Sequence, residues 1–402
     1  MKSCCVIGLG YIGLPTAALI AKNGIKVYGF DINEEVISSV KKGLIHIYEP
    51  HLDDLVKDVV SKNLLIADTK PVKSDVYLIT VPTPFKKTKN KLPEPSTDFV
   101  ESAIMSILPL IKKGDQIIIE STCPVGTTRK VSEIIDKSNK VKTSDIYLSY
   151  CPERVLPGNI LEELVKNDRV VGGFTKEAGE YAKNFYKTFC KGKIIITNDK
   201  TAELVKLTEN SYRDVSIAFA NELSIIANHF GVRINEIIKI ANHHPRVNIL
   251  NPGCGVGGHC IAVDPWFIAS QAPNISCLIQ TARNVNLNKE KWVINQIIEK
   301  ANLKRKEINR EPLIGLMGLS FKPDIDDLRE SPALKISLEL KKLNFDLLNC
   351  EPNIKFLKNF KLKDLDYVTK KSDFIVFLVK HKEFLKLDLT KLDYIDFCGL
   401  DI

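Results

Sequence analysis

Short apolar runs alternate with helix-length amphipathic segments from the first residues to about position 195, the rhythm of βαβ units and of a parallel sheet. The pattern predicts strands at Ser3 to Ile7, Lys26 to Phe30, Val76 to Val81, Gln116 to Glu120, Ile146 to Tyr150 and Lys193 to Thr197. A long helix is predicted from Ala202 through Phe219 to Phe230; its second half is apolar almost all round, as on a helix covered on several sides at a subunit interface. The Gly-rich stretch Pro252 to Gly258 precedes a helix from about Ala262 to Ala272. The lysine-rich stretch 299–312 ends in Pro312 and reads as a linker. Beyond it, Leu313 to Leu319, Asp346 to Cys350, Phe374 to Val379 and Tyr394 to Phe397 are strand-like with helices between, which predicts a second, smaller α/β domain. The expected segments are 1–197, 198–298 and 299–402.

Composition narrows the class. With 44% hydrophobic and 26% charged residues in 402, the chain reads as a globular enzyme of two or three domains. The chain has no run of about 18 apolar residues of the kind that could span a bilayer. The apolar start, Cys4 to Ile7 after Met1, is broken by glycines and Pro15 before it could serve as a signal peptide, so a cytoplasmic protein with no membrane partner is expected. Ten scattered cysteines without a C-x-x-C pair predict reduced thiols. His243, His244 and His259 lack companion ligands at metal spacing, so no metal is expected. The formal charge of +8 comes from lysines interspersed with acids, with no nucleic-acid module; an attraction for dianionic diphosphates accounts for it.

Gly8-Leu9-Gly10-Tyr11-Ile12-Gly13 directly follows a predicted strand and opens a helix, the context that gives a G-x-G-x-x-G its meaning. Gly8 allows the tight turn, Gly10 lets the backbone approach a pyrophosphate, and Gly13 lets helix and strand pack closely. Asp31 ends the next strand, where a carboxylate accepts from a ribose diol and repels a 2′-phosphate; NAD is therefore expected over NADP. Val81-Pro82-Thr83-Pro84 and Ser121-Thr122-Cys123-Pro124-Val125-Gly126 also follow strands, which makes Thr83 and Thr122 candidate cofactor contacts, although Pro-containing turns with hydroxyl caps would look the same.

Lys206, Asn210 and Arg213 fall at i, i+4 and i+7 on the long helix and share a face, a spacing equally usual on a solvated helix. In Gly257-Gly258-His259-Cys260-Ile261-Ala262-Val263-Asp264-Pro265, Asp264 reads as a helix N-cap and Pro265 as the first helical residue. Cys260 then lies just ahead of a helix, where backbone amides and the positive helix end favour a thiolate. A single cysteine among ten is more often a small buried hydrophobe.

Taken together, these residues carry a resemblance to the UDP-glucose/GDP-mannose dehydrogenase family along essentially the whole chain. The motifs are the glycine turn, Ser-Thr-x-Pro-x-Gly at 121–126, Pro152-Glu153, Lys206 with Asn210, Gly-Gly-x-Cys-x-x-x-Asp at 257–264, and Gly318-Leu319-Ser320-Phe321-Lys322 leading to Asp326-Asp327-Leu328-Arg329-Glu330-Ser331-Pro332. Segments 152–158, 166–170, 208–214 and 241–250 resemble the family's UDP-N-acetyl-D-mannosamine branch. The resemblance implies a Rossmann-type NAD-binding domain, a long central dimerisation helix and a C-terminal Rossmann-like UDP-binding domain, in a homodimer or dimer of dimers. It also implies a four-electron oxidation of the C6 alcohol of a UDP-sugar through a cysteine-bound thiohemiacetal and thioester.

By motif position, Cys260 would be the nucleophile. Lys206 and Asn210 would stabilise developing negative oxygen, and Asp264 and Glu153, with Thr122 holding a water, would manage protons. Lys206 as the base is an equal alternative. Arg154, Val155, Arg213, His244, Arg246 and Gly257 would line the sugar-nucleotide site, with Phe321 and Lys322 reaching it from the C-terminal domain and Arg329 approaching NAD along with Tyr11 and Ile12 of the glycine turn. Arg246 would act on a neighbouring subunit. UDP-glucose dehydrogenases carry a phenylalanine and a second glutamate where this chain has Arg154 and Pro157, which argues for an N-acetylhexosamine. UDP-N-acetylglucosamine and UDP-glucose stay open as substrates, as do a two-electron 3-hydroxy acid dehydrogenase that needs no Cys260 and a non-catalytic NAD-binding regulator.

Overall fold

The computed structural model describes residues 2–86, 92–156, 158–258 and 260–400; Met1, Pro157 and His259, named above, lie outside them. The chain divides into two compact units, Met1–Thr208 with Trp266–Gln271, and Glu209–Pro265 with Ala272–Ile402.

The first unit is built on an eight-stranded sheet in the order Ile194–Asn198, Arg169–Gly173, Tyr147–Tyr150, Gln116–Ile119, Val76–Ile79, Ser3–Ile7, Lys26–Phe30, Leu65–Asp68. The predicted strands appear within a residue or two of their expected bounds. The alternation of side chains explains why both faces are covered. Cys4 and Val6 enter one core with the helix Gly13–Lys22, while Cys5 and Ile7 enter another with the helices Asp98–Ile107 and Thr127–Lys137.

Two strands of this sheet were not anticipated, and they bear on topology. Leu65–Asp68 is an edge strand of four residues alternating buried and exposed, too short to stand out from its surroundings. Arg169–Gly173 is diluted by an arginine and two glycines. It runs antiparallel to Tyr147–Tyr150, and Ile194–Asn198 runs parallel to it, so the expected all-parallel sheet ends in two reversed strands.

The second unit has a parallel four-stranded sheet in the order Asp346–Cys350, Leu313–Met317, Phe374–Phe377, Tyr394–Asp396, as the C-terminal pattern predicts. The expected linker at 299–312 is a correction. Residues 299–308 are the last turns of the 32-residue helix Cys277–Ile308, which ends at Asn309 in the left-handed region. Val293, Ile297 and Ala301 recur every four residues as its buried face, and over the last turns Glu299, Lys306 and Glu307 face outward, with Lys304 paired to Glu307. Composition alone hid this periodicity.

The other long helix, Asp199–His229, is continuous over 31 residues and carries Lys206, Asn210 and Arg213. Among the described residues no helix is long and apolar enough to cross a membrane.

Candidate functional site

The glycine turn lies at the C-terminal end of Ser3–Ile7, where ligands of open α/β sheets bind. Gly8 has φ +96°, and a Cβ there would come within 2.9 Å of the Thr80 carbonyl oxygen. Gly13 passes so close to Gly8 that a Cβ would overlap the Gly8 carbonyl oxygen at 1.8 Å, whereas a Cβ on Gly10 would point into open space. Those are the three roles expected of a dinucleotide turn, and Thr80 braces it, its hydroxyl donating to the carbonyls of Ile7 and Gly8. Tyr11 is exposed, and Ile12 stands just ahead of the helix Gly13–Lys22 without capping it through a side chain.

Asp31 follows Lys26–Phe30, and its carboxylate accepts from the Leu9 N–H at 2.8 Å and the Asn33 N–H at 2.9 Å. The carboxylate therefore stands at the turn with a fixed orientation. Changing Asp31→Asn keeps an acceptor for Leu9 but removes the charge. NAD should bind roughly tenfold more weakly and NADP should be discriminated less, as read by fluorescence titration with NADH and NADPH; unchanged affinities for both would contradict the assignment.

Thr83 is buried, and its hydroxyl donates to the Thr122 carbonyl at 2.7 Å, joining the two Pro-containing loops. Beyond them the structure adds partners that motif spacing did not reveal. Glu203 of the long helix accepts from the Gly126 and Thr128 N–H groups and the Thr128 hydroxyl, capping the helix Thr127–Lys137. The Gln271 amide clamps the Val125 backbone through both its N–H and its C=O.

Lys206 is buried and its ammonium donates to the Glu153 carbonyl at 2.7 Å. The Glu153 carboxylate accepts from the Arg154 N–H at 2.6 Å and from Arg169 Nη2 at 3.3 Å. Two groups in the expected chemistry are thus brought together inside the first unit. Arg154 turns its guanidinium to the Asp168 carbonyl, and Val155 packs half-buried against the core.

In the second unit Asn210 is buried and its amide donates to Asp264 Oδ2 at 2.6 Å. The helix Asp264–Gln271 starts at Asp264, which thus takes the first helical position instead of the cap, with Pro265 second. Cys260 is exposed, and its carbonyl accepts from the Val263 and Asp264 N–H groups. The loop that carries it is pinned by the Gly258 N–H to the Arg329 carbonyl at 3.0 Å.

The two glycines before it are explained by what faces them. A Cβ on Gly257 would lie 2.7 Å from Phe321 Cβ, 2.8 Å from the Glu330 carbonyl oxygen and 2.8 Å from Pro332 Cδ; Gly258, at φ +81°, faces the Phe321 ring. Two motifs far apart in sequence therefore pack as one piece. A Gly257→Ala variant must shift the cysteine loop, at a cost of about 1–3 kcal/mol. Turnover should fall at least tenfold or so with NADH affinity unchanged, since the glycine turn belongs to the other unit. Parallel losses of both would argue against the loop as the affected part.

Lys322 is half-buried beside Phe321. Arg329 is exposed and forms a two-pronged pair with Asp327, its Nη2 2.6 Å from Oδ2. Arg213, His244 and Arg246 are exposed as well. Of the shared face expected for Lys206, Asn210 and Arg213, the first two are buried and the third opens to solvent. In the 241–250 loop the Arg246 N–H donates to His244 Nδ1 at 3.3 Å.

Comparison with known proteins agrees with this geometry. Residues 2–190, 200–288 and 315–395 match, in order, the NAD binding, central and UDP binding domains described for the UDP-glucose/GDP-mannose dehydrogenase family. The UDP-N-acetyl-D-mannosamine dehydrogenase of Campylobacter jejuni is 49% identical over 98% of this chain and 98% of its own. The NDP-N-acetyl-D-galactosaminuronic acid dehydrogenase of Ralstonia nicotianae is 46% identical over 96% of this chain and 92% of its own. A solved UDP-D-ManNAc dehydrogenase from Pyrococcus horikoshii superposes with a TM-score of 0.90 at 36% identity, covering 99% of this chain and 96% of that one. With a glycine turn and Asp31 built for a dinucleotide, and all three domains matched in sequence order, the chain belongs to the UDP-glucose/GDP-mannose dehydrogenase family and its N-terminal part is an NAD-binding domain.

Proposed function

We propose that the chain oxidises the C6 alcohol of UDP-N-acetyl-D-mannosamine to the carboxylate, giving UDP-N-acetyl-D-mannosaminuronate. The observation that carries this is the 49% identity, over nearly the full length of both chains, to a UDP-N-acetyl-D-mannosamine dehydrogenase. An exposed Cys260 ahead of a helix start and the buried Asn210–Asp264 pair behind it supply the chemistry in support.

NAD, when bound, supplies the electron acceptor for both two-electron stages. The thiolate of Cys260 adds to the C6 aldehyde, forming a C–S bond and a thiohemiacetal; loss of a further electron pair from that carbon leaves a thioester, and water cleaves the C–S bond to release the carboxylate and the thiol. Lys206 and the Asn210 amide stabilise oxygen that gains negative charge. Glu153 and Asp264 take and return protons, with Thr122 orienting the water. Arg154, Val155, Arg213, His244, Arg246, Gly257, Phe321 and Lys322 hold the sugar nucleotide, guanidinium groups suiting its diphosphate.

The 46% identity to an enzyme named for N-acetyl-galactosaminuronic acid favours UDP-N-acetyl-galactosamine as the second reading. A panel of UDP-N-acetylmannosamine, UDP-N-acetylglucosamine, UDP-N-acetylgalactosamine and UDP-glucose with NAD or NADP tests both. Two NADH per UDP-N-acetylmannosamine is the expected count, and one NADH would exclude the covalent route.

The functional segments divide near residue 197 and after the helix Cys277–Ile308, not at 299, and the protein acts in the cytoplasm as a dimer or dimer of dimers that feeds polysaccharide synthesis. The helix Asp199–His229 supports the dimer, since Tyr212, Phe219 and Ile226, at intervals of seven, lie exposed along one face with Phe230 just beyond the last turn.

A further inference from the structure

Behind Glu153 lies a buried charge cluster that the proposed chemistry does not use. Arg169, the first residue of the reversed strand Arg169–Gly173, is 4% exposed. Its Nη2 is 3.3 Å from Glu153 Oε2 and its Nη1 is 3.7 Å from Glu120 Oε1. The guanidinium lies over the rings of Tyr186 and Phe189, at 4.6 and 5.6 Å. Glu120 is 2% exposed at the end of Gln116–Ile119, and the Tyr186 hydroxyl donates to its Oε1 at 2.6 Å.

Arg169 is one guanidinium against two buried carboxyl groups, and the Lys206 ammonium donates to the Glu153 carbonyl instead of to either carboxyl; an uncompensated buried charge is expensive, which favours a proton on one carboxyl. The surroundings decide which one. Glu153 has the closer guanidinium nitrogen and the Arg154 N–H, and its own carbonyl holds the Lys206 ammonium. Glu120 has one hydroxyl donor on one oxygen, and its Oε2 has no hydrogen-bond partner.

We propose that Arg169 is a positioning residue for Glu153, holding its carboxylate in one orientation, and that Glu120 keeps the cluster's proton. This rests on the reading in which Glu153 manages protons in the oxidation. The Glu120 carboxyl is pushed up to about 7, by burial first; Arg169 pulls it down, the Glu153 charge pushes it up, and the Tyr186 hydrogen bond pulls it down. The other titratable groups facing it, the Cys151 and Cys4 thiols and the Tyr186 phenol, are all raised by burial and stay neutral through this range.

The consequence has a definite sign. Below pH 7 Glu120 is neutral and Arg169 serves Glu153 alone. Above it, an ionised Glu120 competes for the guanidinium and adds a second negative charge, so turnover should step down.

The test is a double-mutant cycle with Arg169→Lys and Glu153→Gln, scored by kcat and KM for the UDP-sugar, together with the pH profile of Glu120→Gln. Arg169→Lys should lower kcat by about 10- to 100-fold with KM nearly unchanged, and should cost little more once Glu153 is glutamine. In Glu120→Gln, which imitates the protonated acid, the step near pH 7 should vanish, so the ratio of variant to wild-type kcat rises several-fold from pH 6 to pH 8.5. Equal losses from Arg169→Lys in both backgrounds, or a wild-type pH step persisting in Glu120→Gln, overturns the positioning role. If Arg169→Lys does not fold, the Glu120→Gln profile decides alone. Full activity of Glu153→Gln by itself would instead overturn the role given to Glu153, and this inference would fall with it.

Discussion

Replacing Cys260 by serine is expected to cut conversion of the UDP-sugar to the carboxylate by about 10³-fold or more while leaving NAD affinity intact. The side chains are nearly the same size, so the loop should keep its place. It is anchored by the Gly258 N–H on the Arg329 carbonyl, by the Cys254 thiol on the Leu378 carbonyl at 3.4 Å, and by the Cys260 carbonyl on the first turn of the next helix. What changes is the nucleophile. A serine hydroxyl is essentially un-ionised at neutral pH, whereas a thiol at a helix start reaches its anion readily. The first oxidation needs no sulfur, so the variant should form at most one NADH per sugar and release an aldehyde that a hydrazine reagent captures. Two NADH per sugar at the wild-type rate would remove Cys260 from the mechanism.

Much of this was legible in the sequence, and for local reasons. Six of the eight strands of the first sheet and all four of the second came from runs of apolar residues, and the roles of Gly8, Gly10 and Gly13 came from a pattern whose meaning depends only on the strand before it and the helix after it; φ at Gly8 and the clearance at all three agree. What escaped was set by contacts between distant segments. Arg169 at a strand start gives no apolar signal, because its burial depends on Glu120 and Glu153 far away in sequence. Gly257 could be recognised as a motif residue, but not that Phe321, Glu330 and Pro332 close around it. Thr80, Glu203 and Gln271 look like ordinary polar residues until the turns they brace are seen. The helix end at 299–308 was masked by lysine content, where the four-residue recurrence of Val293, Ile297 and Ala301 was the better guide.

The largest expected loss of stability lies at Asp214. Arg283 is among the largest fully buried side chains, and its Nη1 is 2.6 Å from Asp214 Oδ1, which also accepts from the Asn286 amide at 2.8 Å. Asn286 Oδ1 in turn accepts from Asn221 Nδ2, and Asn221 Oδ1 accepts from the Gly253 N–H. One chain of hydrogen bonds thus ties both long helices to the start of the cysteine loop. Asp214→Ala strands a guanidinium in the interior, which should destabilise the unit by about 3–5 kcal/mol and lower Tm by roughly 10 °C. Removing both charges while keeping an acceptor for Asn286, as in Asp214→Asn with Arg283→Met, should recover a large part of the loss, because a buried pair replaced by neutral groups is often nearly neutral in stability. Calorimetry on the two variants separates the explanations: if the double variant melts no higher than Asp214→Ala, packing around the pair, and not the stranded charge, is what Asp214 protects.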